Sequence, residues 1–256
     1  MKYNIKLKNE KDIIVLRESC KRLAVVLQTL AKEVKPGVTT GYLNDLAYKL
    51  ITEKGDKPAF LNYQPFGASY AYPGSVCISV NDEVVHGIGG DRVLKEGDIV
   101  GIDGGVTHKG MISDSAVTVA VGKISKEDEE LMRVTKEALM AGIKAAKGGN
   151  YVNDISKAIE KSIPKKYGIV KILSGHGVGY KVHEEPYVPN FDDGVKGPKL
   201  VPGLVLALEP MVNHGTDEVY LADDGYTFIT KDHKKSAHFE HTILITEGEA
   251  EILTSW

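Results

Sequence analysis

The stretch VGIDGGVTHKGMISDSAVT, residues 100–118, decides the fold because it predicts a β-hairpin with an acidic side chain on each strand. Two apolar runs rich in β-branched residues flank a turn signal, HKG, at residues 108–110. If the first two residues of this signal form the loop and Gly110 takes the left-handed position after it, Asp103 directly faces Asp114.

Two carboxylates that face each other on one sheet surface destabilise the pair unless their charge is neutralised. A shared proton or a bound cation can neutralise it. In the alternative interpretation, the register differs by one or two residues and Asp103 and Asp114 are solvated residues beside the turn. The hairpin alone leaves both interpretations open.

The composition predicts a globular protein long enough to bury a substantial core. The chain has 256 residues, of which 42% are hydrophobic and 26% charged. Its net charge of −3 argues against a broad nucleic-acid surface. No apolar run approaches the roughly 20 residues that span a membrane, and the N-terminus lacks a secretory signal. With only Cys20 and Cys77 and no CxxC pair, a disulfide framework is not expected, and a cytoplasmic location is predicted.

A helical hairpin pattern occurs twice along the chain. Residues 12–34 predict a helix, and Thr40 is the expected N-cap of a second helix that ends at Gly55. Residues 127–146 and 151–168 repeat this order, and KPGVTTGYLNDLAYKLI resembles KGGNYVNDISKAIEKSI. Either an internal duplication or chance similarity between amphipathic helices explains the match.

If the duplication holds, the fold class is α+β. We then expect residues 1–256 to form one pseudo-two-fold domain, in which a curved antiparallel sheet carries the helices on its outer face. The concave face of this sheet is the natural position for a site.

Two further carboxylates interrupt strand-like runs. Glu209 lies in LVLALEPMV and Glu240 lies between Phe239 and the alternating run HTILIT. An ionised carboxylate is rarely buried without a partner, although an edge strand could expose each of them to solvent. Together with the two hairpin aspartates and one histidine, they form a mixed oxygen and nitrogen set suited to two divalent metals.

His176 is the histidine expected to join this set, because the glycines of GHGVG leave its imidazole accessible. The same segment is not a dinucleotide-binding loop, since Tyr180 and Lys181 break the GxGxxG pattern. HEEPY at His183 is not the HExxH of zincins either. The remaining histidines outside EVVHG and HEEP are predicted to be surface or structural residues: His108, His214, His233, His238 and His241.

In order and spacing, five residues resemble the metal ligands of the pita-bread metallopeptidases. These five are Asp103, Asp114, His176, Glu209 and Glu240. Nearly the whole chain resembles the type I methionine aminopeptidases, most specifically in SVCISVNDEVVHG, GHGVG and HEEP. The five ligands alone do not separate this family from prolidase or Xaa-Pro aminopeptidase. Those relatives usually carry an additional N-terminal domain, whereas about ten residues precede the first predicted helix here.

The resemblance implies a pita-bread fold and a dinuclear metalloenzyme that removes the initiator methionine from nascent chains with a small second residue. Water activated by the two metals would attack the first peptide bond, and Glu209 would move its proton to the leaving amine. His183 would stabilise the tetrahedral intermediate, and His86 would contact the peptide nitrogen next to the scissile bond. The metals could be Mn, Fe, Co or Zn, and a monovalent cation is left open.

By the same resemblance, an apolar pocket would hold the methionine side chain. Its lining would be Phe60, Tyr63, Cys77, Val182 and Tyr226. The segment QPFGASYAYPG that follows Tyr63 is longer than is usual in the family, and it does not reveal which of its aromatic residues enters the pocket.

The implied partners are nascent polypeptide N-termini, with ribosome contact left open, and the enzyme is expected to be a monomer without membrane or specific nucleic-acid partners. Two alternatives remain: the same fold acting on Xaa-Pro dipeptides or another small amide, and a binding protein that has lost its ligands. The second is disfavoured because all five ligand positions, His86 and His183 are occupied.

Overall fold

The computed structural model describes residues 3–255 and contains four α-helices and fifteen β-strands in that part of the chain. The helices are α1 (Glu10–Glu33), α2 (Thr40–Thr52), α3 (Lys126–Ala145) and α4 (Val152–Ser162). Side chains satisfy free backbone N–H groups where helices begin: Asn9 and Asp12 form a capping box at α1. Ser125 accepts from the Asp128 backbone at α3.

Two predicted helix ends are corrected by the structure. The N-cap of α2 is Thr39 rather than Thr40, whose hydroxyl instead donates to the Gly90 carbonyl oxygen at 3.1 Å. The helix predicted within residues 151–168 ends at Ser162. Pro164 disfavours a helical conformation in the residue before it, and Ile163 is accordingly extended, with φ −92° and ψ 121°.

The strands form one large sheet and two small ones, and every strand pairing among residues 3–255 is antiparallel. The strands are β1 (Lys57–Pro58), β2 (Val76–Val80), β3 (Glu83–Val85), β4 (Ile99–His108), β5 (Met111–Ala120), β6 (Gly168–Ile169), β7 (Ser174–Gly177), β8 (Glu184–Pro189), β9 (Val205–Leu208), β10 (Met211–Asn213), β11 (Val219–Leu221), β12 (Phe228–Thr230), β13 (Ser236–His238), β14 (Glu240–Leu244) and β15 (Glu251–Ile252).

The large sheet has the order β1-β4-β5-β14-β9-β7-β8, with β2 beside β4 and β15 beside β14. The small sheets are β13-β10-β6 and β11-β12-β3. Helix α1 packs against β4 and β5, and α3 packs against strands of the large sheet and of the β13-β10-β6 sheet. The predicted α+β class with an antiparallel sheet is confirmed.

The hairpin of β4 and β5 forms as predicted, but its register is shifted by two residues. Asp103 lies opposite Ala116, and Asp114 lies opposite Gly105. The loop consists of Lys109 and Gly110, with φ values of 47° and 86°, the pair of positive angles that two-residue hairpin loops require. The predicted direct pairing of Asp103 with Asp114 is therefore wrong. Because the shift is even, both carboxylates remain on the same face.

The two faces of β4 have different neighbours, and this difference determines where Asp103 lies. A Cβ added to Gly104 would meet Val76 at 2.9 Å and Leu23 of α1 at 3.5 Å, so this position faces the helical core. A Cβ added to Gly105 would meet the Phe60 ring at 3.0 Å. Side chains alternate along a strand, so Asp103 lies on the side of Phe60, away from the helices.

The two helical hairpins are held to the following chain in the same way. The Gly37 N–H donates to the Leu94 carbonyl oxygen at 2.9 Å, and the Gly149 N–H donates to the Leu200 carbonyl oxygen at 2.9 Å. Both glycines have a φ near 90°, a conformation that glycine adopts without steric cost. The same local arrangement thus occurs at both places where the sequence repeats.

The chain passes between sheets at two neighbouring points. β9 pairs with β14 in the large sheet, and β10 pairs with β13 in a small one. Glu209 and Pro210 connect β9 to β10, and Phe239 connects β13 to β14. The single strand predicted for LVLALEPMV is therefore divided, and Glu209 lies at the break.

None of the helices within residues 3–255 combines the length and apolarity that a membrane-spanning segment needs.

Candidate metal centre and active site

Five elements bring the predicted ligands to one cavity of about 80 Å³. Asp103 comes from β4, Asp114 from β5 and His176 from β7, while Glu240 begins β14. Glu209 joins them from the break between β9 and β10. Four of these elements are neighbours or near neighbours in the large sheet, so residues far apart in sequence meet on its inner face.

The side chains are close enough to share cations. His176 Nε2 lies 3.2 Å from Glu209 Oε1 and 3.9 Å from Asp114 Oδ2. One ligand atom from each of Asp114, His176 and Glu240 lies within 4.8 Å of the other two. All three of these residues are buried.

Burial makes this cluster bind protons when no cation is present. Burial and the nearby charge of Glu209 raise the pKa of Asp103 to about 8. Burial and the charge of Asp103 raise the pKa of Asp114 well above its usual range. The pKa of Glu240 is raised in the same way, by burial and by the charge of Asp114. The like-charge conflict inferred from the hairpin is therefore present.

The orientation of His176 leaves one ring nitrogen directed at the carboxylates. Its Nδ1 lies 2.9 Å from the Gly177 carbonyl oxygen, which only accepts, so Nδ1 carries the hydrogen. Nε2 then offers its lone pair or binds a proton. Burial lowers the pKa of His176, but the hydrogen bond and charge of Glu209 outweigh burial and leave the pKa raised. A bound cation can take the place of that proton.

The oxygens of the hairpin aspartates also fit a cation. Asp103 Oδ1 and Asp114 Oδ1 are buried, and neither has a hydrogen-bond partner in the part of the chain that the structure describes. Buried polar atoms rarely lack a partner. A set of carboxylates with one imidazole suits Mn, Fe, Co or Zn, so the donor set fits a divalent metal.

His183 and His86 line the same cavity as neutral imidazoles. Nδ1 of His183 lies 2.9 Å from the Tyr63 hydroxyl, and its ring centroid is 4.5 Å from that of His176. Burial and the charge of His176 lower the pKa of His183 to about 3 and that of His86 to about 4. His86 has a φ of 62°, a strained conformation of the kind found at functional sites.

An apolar pocket adjoins these groups. Phe60, Cys77, Val182 and Tyr226 belong to one buried cluster, and Tyr63 packs against it. All five residues predicted for the pocket therefore line the cavity. Tyr72 and Pro65 line it as well, and the sequence had not assigned either of them.

The longer segment at residues 64–74 is tied to the pocket by Tyr70 and Tyr72. The Tyr72 N–H donates to the Tyr63 carbonyl oxygen at 2.8 Å, and the Tyr226 hydroxyl donates to the Tyr70 carbonyl oxygen. Tyr72 is the aromatic residue that enters the pocket, the exposed Tyr70 contacts the Tyr226 ring in a T-shaped arrangement, and Phe66 is fully exposed.

Sequence reasoning missed His238, which was predicted to be a surface or structural residue. It is buried, and its Nε2 lies 3.9 Å from Glu209 Oε2 with no hydrogen-bond partner among residues 3–255. The signal was its spacing of two residues from Glu240, which places both side chains on one side of an extended chain.

The other histidines bond structural partners, as predicted. His108 Nδ1 lies 2.7 Å from Asp56, and His214 Nε2 lies 3.1 Å from Asp128. His233 and His241 are bonded to Asp82 and Thr254.

The chain is similar to known metallopeptidases in sequence and in structure. The sequence profile of metallopeptidase family M24 matches residues 15–247. The methionine aminopeptidase of Aquifex aeolicus is 47% identical over 255 residues, which cover 98% of both chains. The crystal structure of methionine aminopeptidase from Rickettsia prowazekii matches with a TM-score of 0.93 at 38% identity, over 98% of this chain and 100% of that one. The prolidase from Pyrococcus furiosus, at 23% identity and a TM-score of 0.76, covers 98% of this chain and 65% of its own, and shares the fold alone.

Proposed function

The chain belongs to the methionine aminopeptidases of metallopeptidase family M24, and we propose that it hydrolyses the first peptide bond of polypeptides that begin with methionine. The observation that carries this proposal is the junction of two environments in one cavity. Carboxylates and imidazoles, of which Asp114, His176 and Glu240 are buried, lie directly beside an apolar pocket. This junction suits a substrate with a polar reacting bond and an apolar side chain.

Asp103, Asp114, His176, Glu209 and Glu240 would hold two divalent cations, with the two aspartates and Glu240 shared or chelating. When bound, such a pair supplies Lewis acidity and lowers the pKa of water in the site. Mn, Fe, Co and Zn all suit this donor set. An additional monovalent cation stays a prediction.

Glu209 is the proposed proton carrier. Its side chain is 14% exposed, more than that of Asp114 at 4%, and it lies at the break between β9 and β10. From this position it can accept a proton from the attacking water and deliver it to the leaving amine nitrogen.

The two neutral histidines bind the peptide. We assign the Tyr63 hydroxyl, 2.9 Å from Nδ1 of His183, as the donor of this hydrogen bond, so that Nε2 carries the hydrogen and can donate to the oxyanion that develops at the scissile carbonyl. His86 would contact the next peptide nitrogen. A neutral imidazole is required for such a bond at neutral pH, and the lowered pKa values of both histidines meet this requirement.

The apolar pocket would bind the methionine side chain. Its residues Phe60, Tyr63, Cys77, Val182 and Tyr226 present aromatic, aliphatic and sulfur surface, which suits an unbranched, polarizable side chain. The free α-amino group would bind beside the carboxylates, and we expect a preference for a small second residue next to His86 and His183, which line the cavity.

Nascent chains are the proposed substrates and the cytoplasm is the proposed location, whereas contact with ribosomes stays open. One catalytic domain over residues 1–256, a monomeric state and the lack of specific nucleic-acid or membrane partners stay predictions.

Hydrolysis of Met-Ala-Ser with added Mn²⁺ or Co²⁺, compared with a Xaa-Pro peptide, tests the proposed specificity. We expect release of free methionine and little cleavage of the Xaa-Pro peptide. Faster cleavage of the Xaa-Pro peptide would assign the chain the activity of the fold relatives instead. Asp103→Ala should abolish both turnover and bound metal, whereas Asp91→Asn at an exposed aspartate serves as the matched control.

A further inference from the structure

The segment at residues 4–9 lies against the turn that carries His183. The Lys8 N–H donates to the Gly203 carbonyl oxygen at 2.8 Å, and the Asn4 N–H donates to the Glu185 carboxylate. The first bond joins the chain that precedes α1 to the loop before β9, and the second joins it to Glu185, directly after the turn at residues 179–184.

Lys8 places its ammonium group inside this contact. Its side chain is 1% exposed, and Nζ lies 2.7 Å from Glu184 Oε2, itself on a side chain that is 6% exposed. Nζ also donates to the Lys6 carbonyl oxygen at 3.2 Å and lies 5.0 Å from the centre of the Tyr180 ring. Burial lowers the pKa of Lys8, and the Glu184 carboxylate opposes this effect.

A buried ion pair of this kind gives little net stability, because removing both charges from water costs about as much as their attraction returns. A role in fixing one local conformation explains its presence better. This conformation is that of the turn at residues 179–184, to which the buried Glu184 side chain is bonded.

Glu184 uses its second oxygen to close the turn. Oε1 accepts from the Tyr180 N–H at 2.5 Å and from the Lys181 N–H at 2.9 Å. Gly179 has a φ of 134°, and a Cβ there would lie 2.4 Å from Lys8 Cε, so the turn is shaped around the lysine. The Gly179 carbonyl oxygen accepts from the Ile112 N–H of β5 at 2.7 Å.

Two residues of this turn line the cavity. Val182 lines the apolar pocket, and His183 lies between Tyr63 and His176. A turn that relaxed would move His183 relative to the scissile bond, and misplacement of a catalytic group by about 1 Å can cost about 100-fold in rate.

We propose that Lys8 is a positioning residue, which orients His183 through Glu184 and thereby sets the rate of the hydrolytic step. The proposal rests on the proposed function, and it assigns a task in the reaction to the segment before the first helix.

The test compares Lys8→Met with Lys11→Met, a matched change at an exposed lysine on α1. In Lys8→Met we expect kcat for Met-Ala-Ser to fall about 10- to 100-fold, with KM changed less than about twofold and with unchanged metal content. Lys11→Met should match the parent. An unaltered kcat in Lys8→Met would overturn the proposal.

A double variant separates positioning from a general loss of structure. If Lys8 acts through His183, Lys8→Met causes no further loss of kcat in a His183→Ala background. An equal fold-loss in both backgrounds would show that Lys8 supports the fold without orienting His183. If Lys8→Met does not fold, Glu184→Gln takes its place in the same cycle.

A readout independent of turnover distinguishes failure of this proposal from failure of the proposed function. The His183 ring resonances in a ¹H–¹⁵N spectrum of the zinc-loaded protein should shift or broaden in Lys8→Met and remain unchanged in Lys11→Met. Unchanged His183 resonances in Lys8→Met overturn the positioning role whether or not Met-Ala-Ser is the substrate.

Discussion

The two ends of the cavity are built from different kinds of structure. At the charged end, Asp103, Asp114 and His176 are held by strands of the large sheet, whose hydrogen bonds fix the backbone of each ligand. At the apolar end, Phe60 and Tyr226 lie in loops and are held by packing and by side-chain hydrogen bonds. At the charged end, the strands of the large sheet therefore hold side chains of like charge close together. At the apolar end, the side chains lie in loops and stabilise the fold by packing.

The difference predicts opposite effects of substitution on activity and stability. At the charged end, Asp114→Asn should reduce kcat/KM about 1,000-fold or more, which corresponds to several kcal/mol of lost metal-assisted stabilisation. Without metal, the melting temperature at neutral pH should remain nearly unchanged, because the raised pKa of Asp114 leaves this side chain protonated and asparagine then replaces a neutral group. Turnover of Met-Ala-Ser and calorimetry after chelation measure both effects. Near-parental activity would contradict the assignment of Asp114 as a ligand.

When the metal is removed, the free energy of unfolding should depend on pH, because the carboxylates at the charged end then repel one another unless they bind protons. The pKa of Asp103 is about 8 in the folded protein without metal and about 4 in an unfolded chain. Between these values the folded state holds a proton that the unfolded state has released. The contribution of such a carboxyl group to the stability of the metal-free protein therefore falls as pH rises from about 4 to 8, by about 1.4 kcal/mol per pH unit for each such proton, and the lowered pKa values of His86 and His183 oppose it only below about pH 6.5.

Urea unfolding at pH 5 and pH 8, with and without Mn²⁺, measures this dependence. We expect the chelated protein to be more stable at pH 5 than at pH 8, and Mn²⁺ to raise stability most at pH 8 because ligands must be deprotonated to bind it. A chelated protein that gains stability from pH 5 to pH 8 would exclude the raised pKa values.

At the apolar end, a substitution should affect stability and binding together. Tyr226→Ala removes a buried ring that contacts Tyr70 and Tyr72, and should cost about 2–4 kcal/mol in the free energy of unfolding. KM for Met-Ala-Ser should rise more than kcat falls, while metal content is retained. The control Tyr220→Ala, at an exposed tyrosine of β11, should stay within about 0.5 kcal/mol of the parent.

The smallest effect is expected at the rim of the apolar end. Phe66 is fully exposed, so Phe66→Ser should change the free energy of unfolding by less than about 0.5 kcal/mol. Phe66 follows Pro65, which lines the cavity, so we expect its exposed ring to contact substrate residues beyond the scissile bond. We expect kcat/KM to fall a few-fold for methionyl peptides with an apolar third residue and to stay constant for those with a polar one. Equal rates for both peptide series would limit the long segment to a structural role.

The charged end was largely predictable from sequence, because strand alternation and spacing place its ligands on one face. The hairpin itself was predicted, and both aspartates lie on one side of it as expected. Its register was not, because the loop type depends on whether Lys109 adopts a positive φ, and the sequence permits more than one loop there.

Other features depended on contacts that no local pattern encodes. The break at Glu209 and Pro210 arises because β9 and β10 pair in different sheets. The choice of Tyr72 over Phe66 for the pocket depends on how the loop folds back onto Tyr63. The burial of His238 follows from the sheet crossing at Phe239.

The ligand set also has a consequence for charge balance. Fully deprotonated, Asp103, Asp114, Glu209 and Glu240 carry four negative charges, while a neutral His176 carries none. Two divalent cations would cancel this charge, whereas one would leave half of it. The first ion would therefore bind a strongly negative site and the second a less negative one. We expect the first ion to bind with the higher affinity. The fully loaded site would be close to electroneutral, so the substrate's ammonium group is recognised by short-range contacts rather than by long-range attraction.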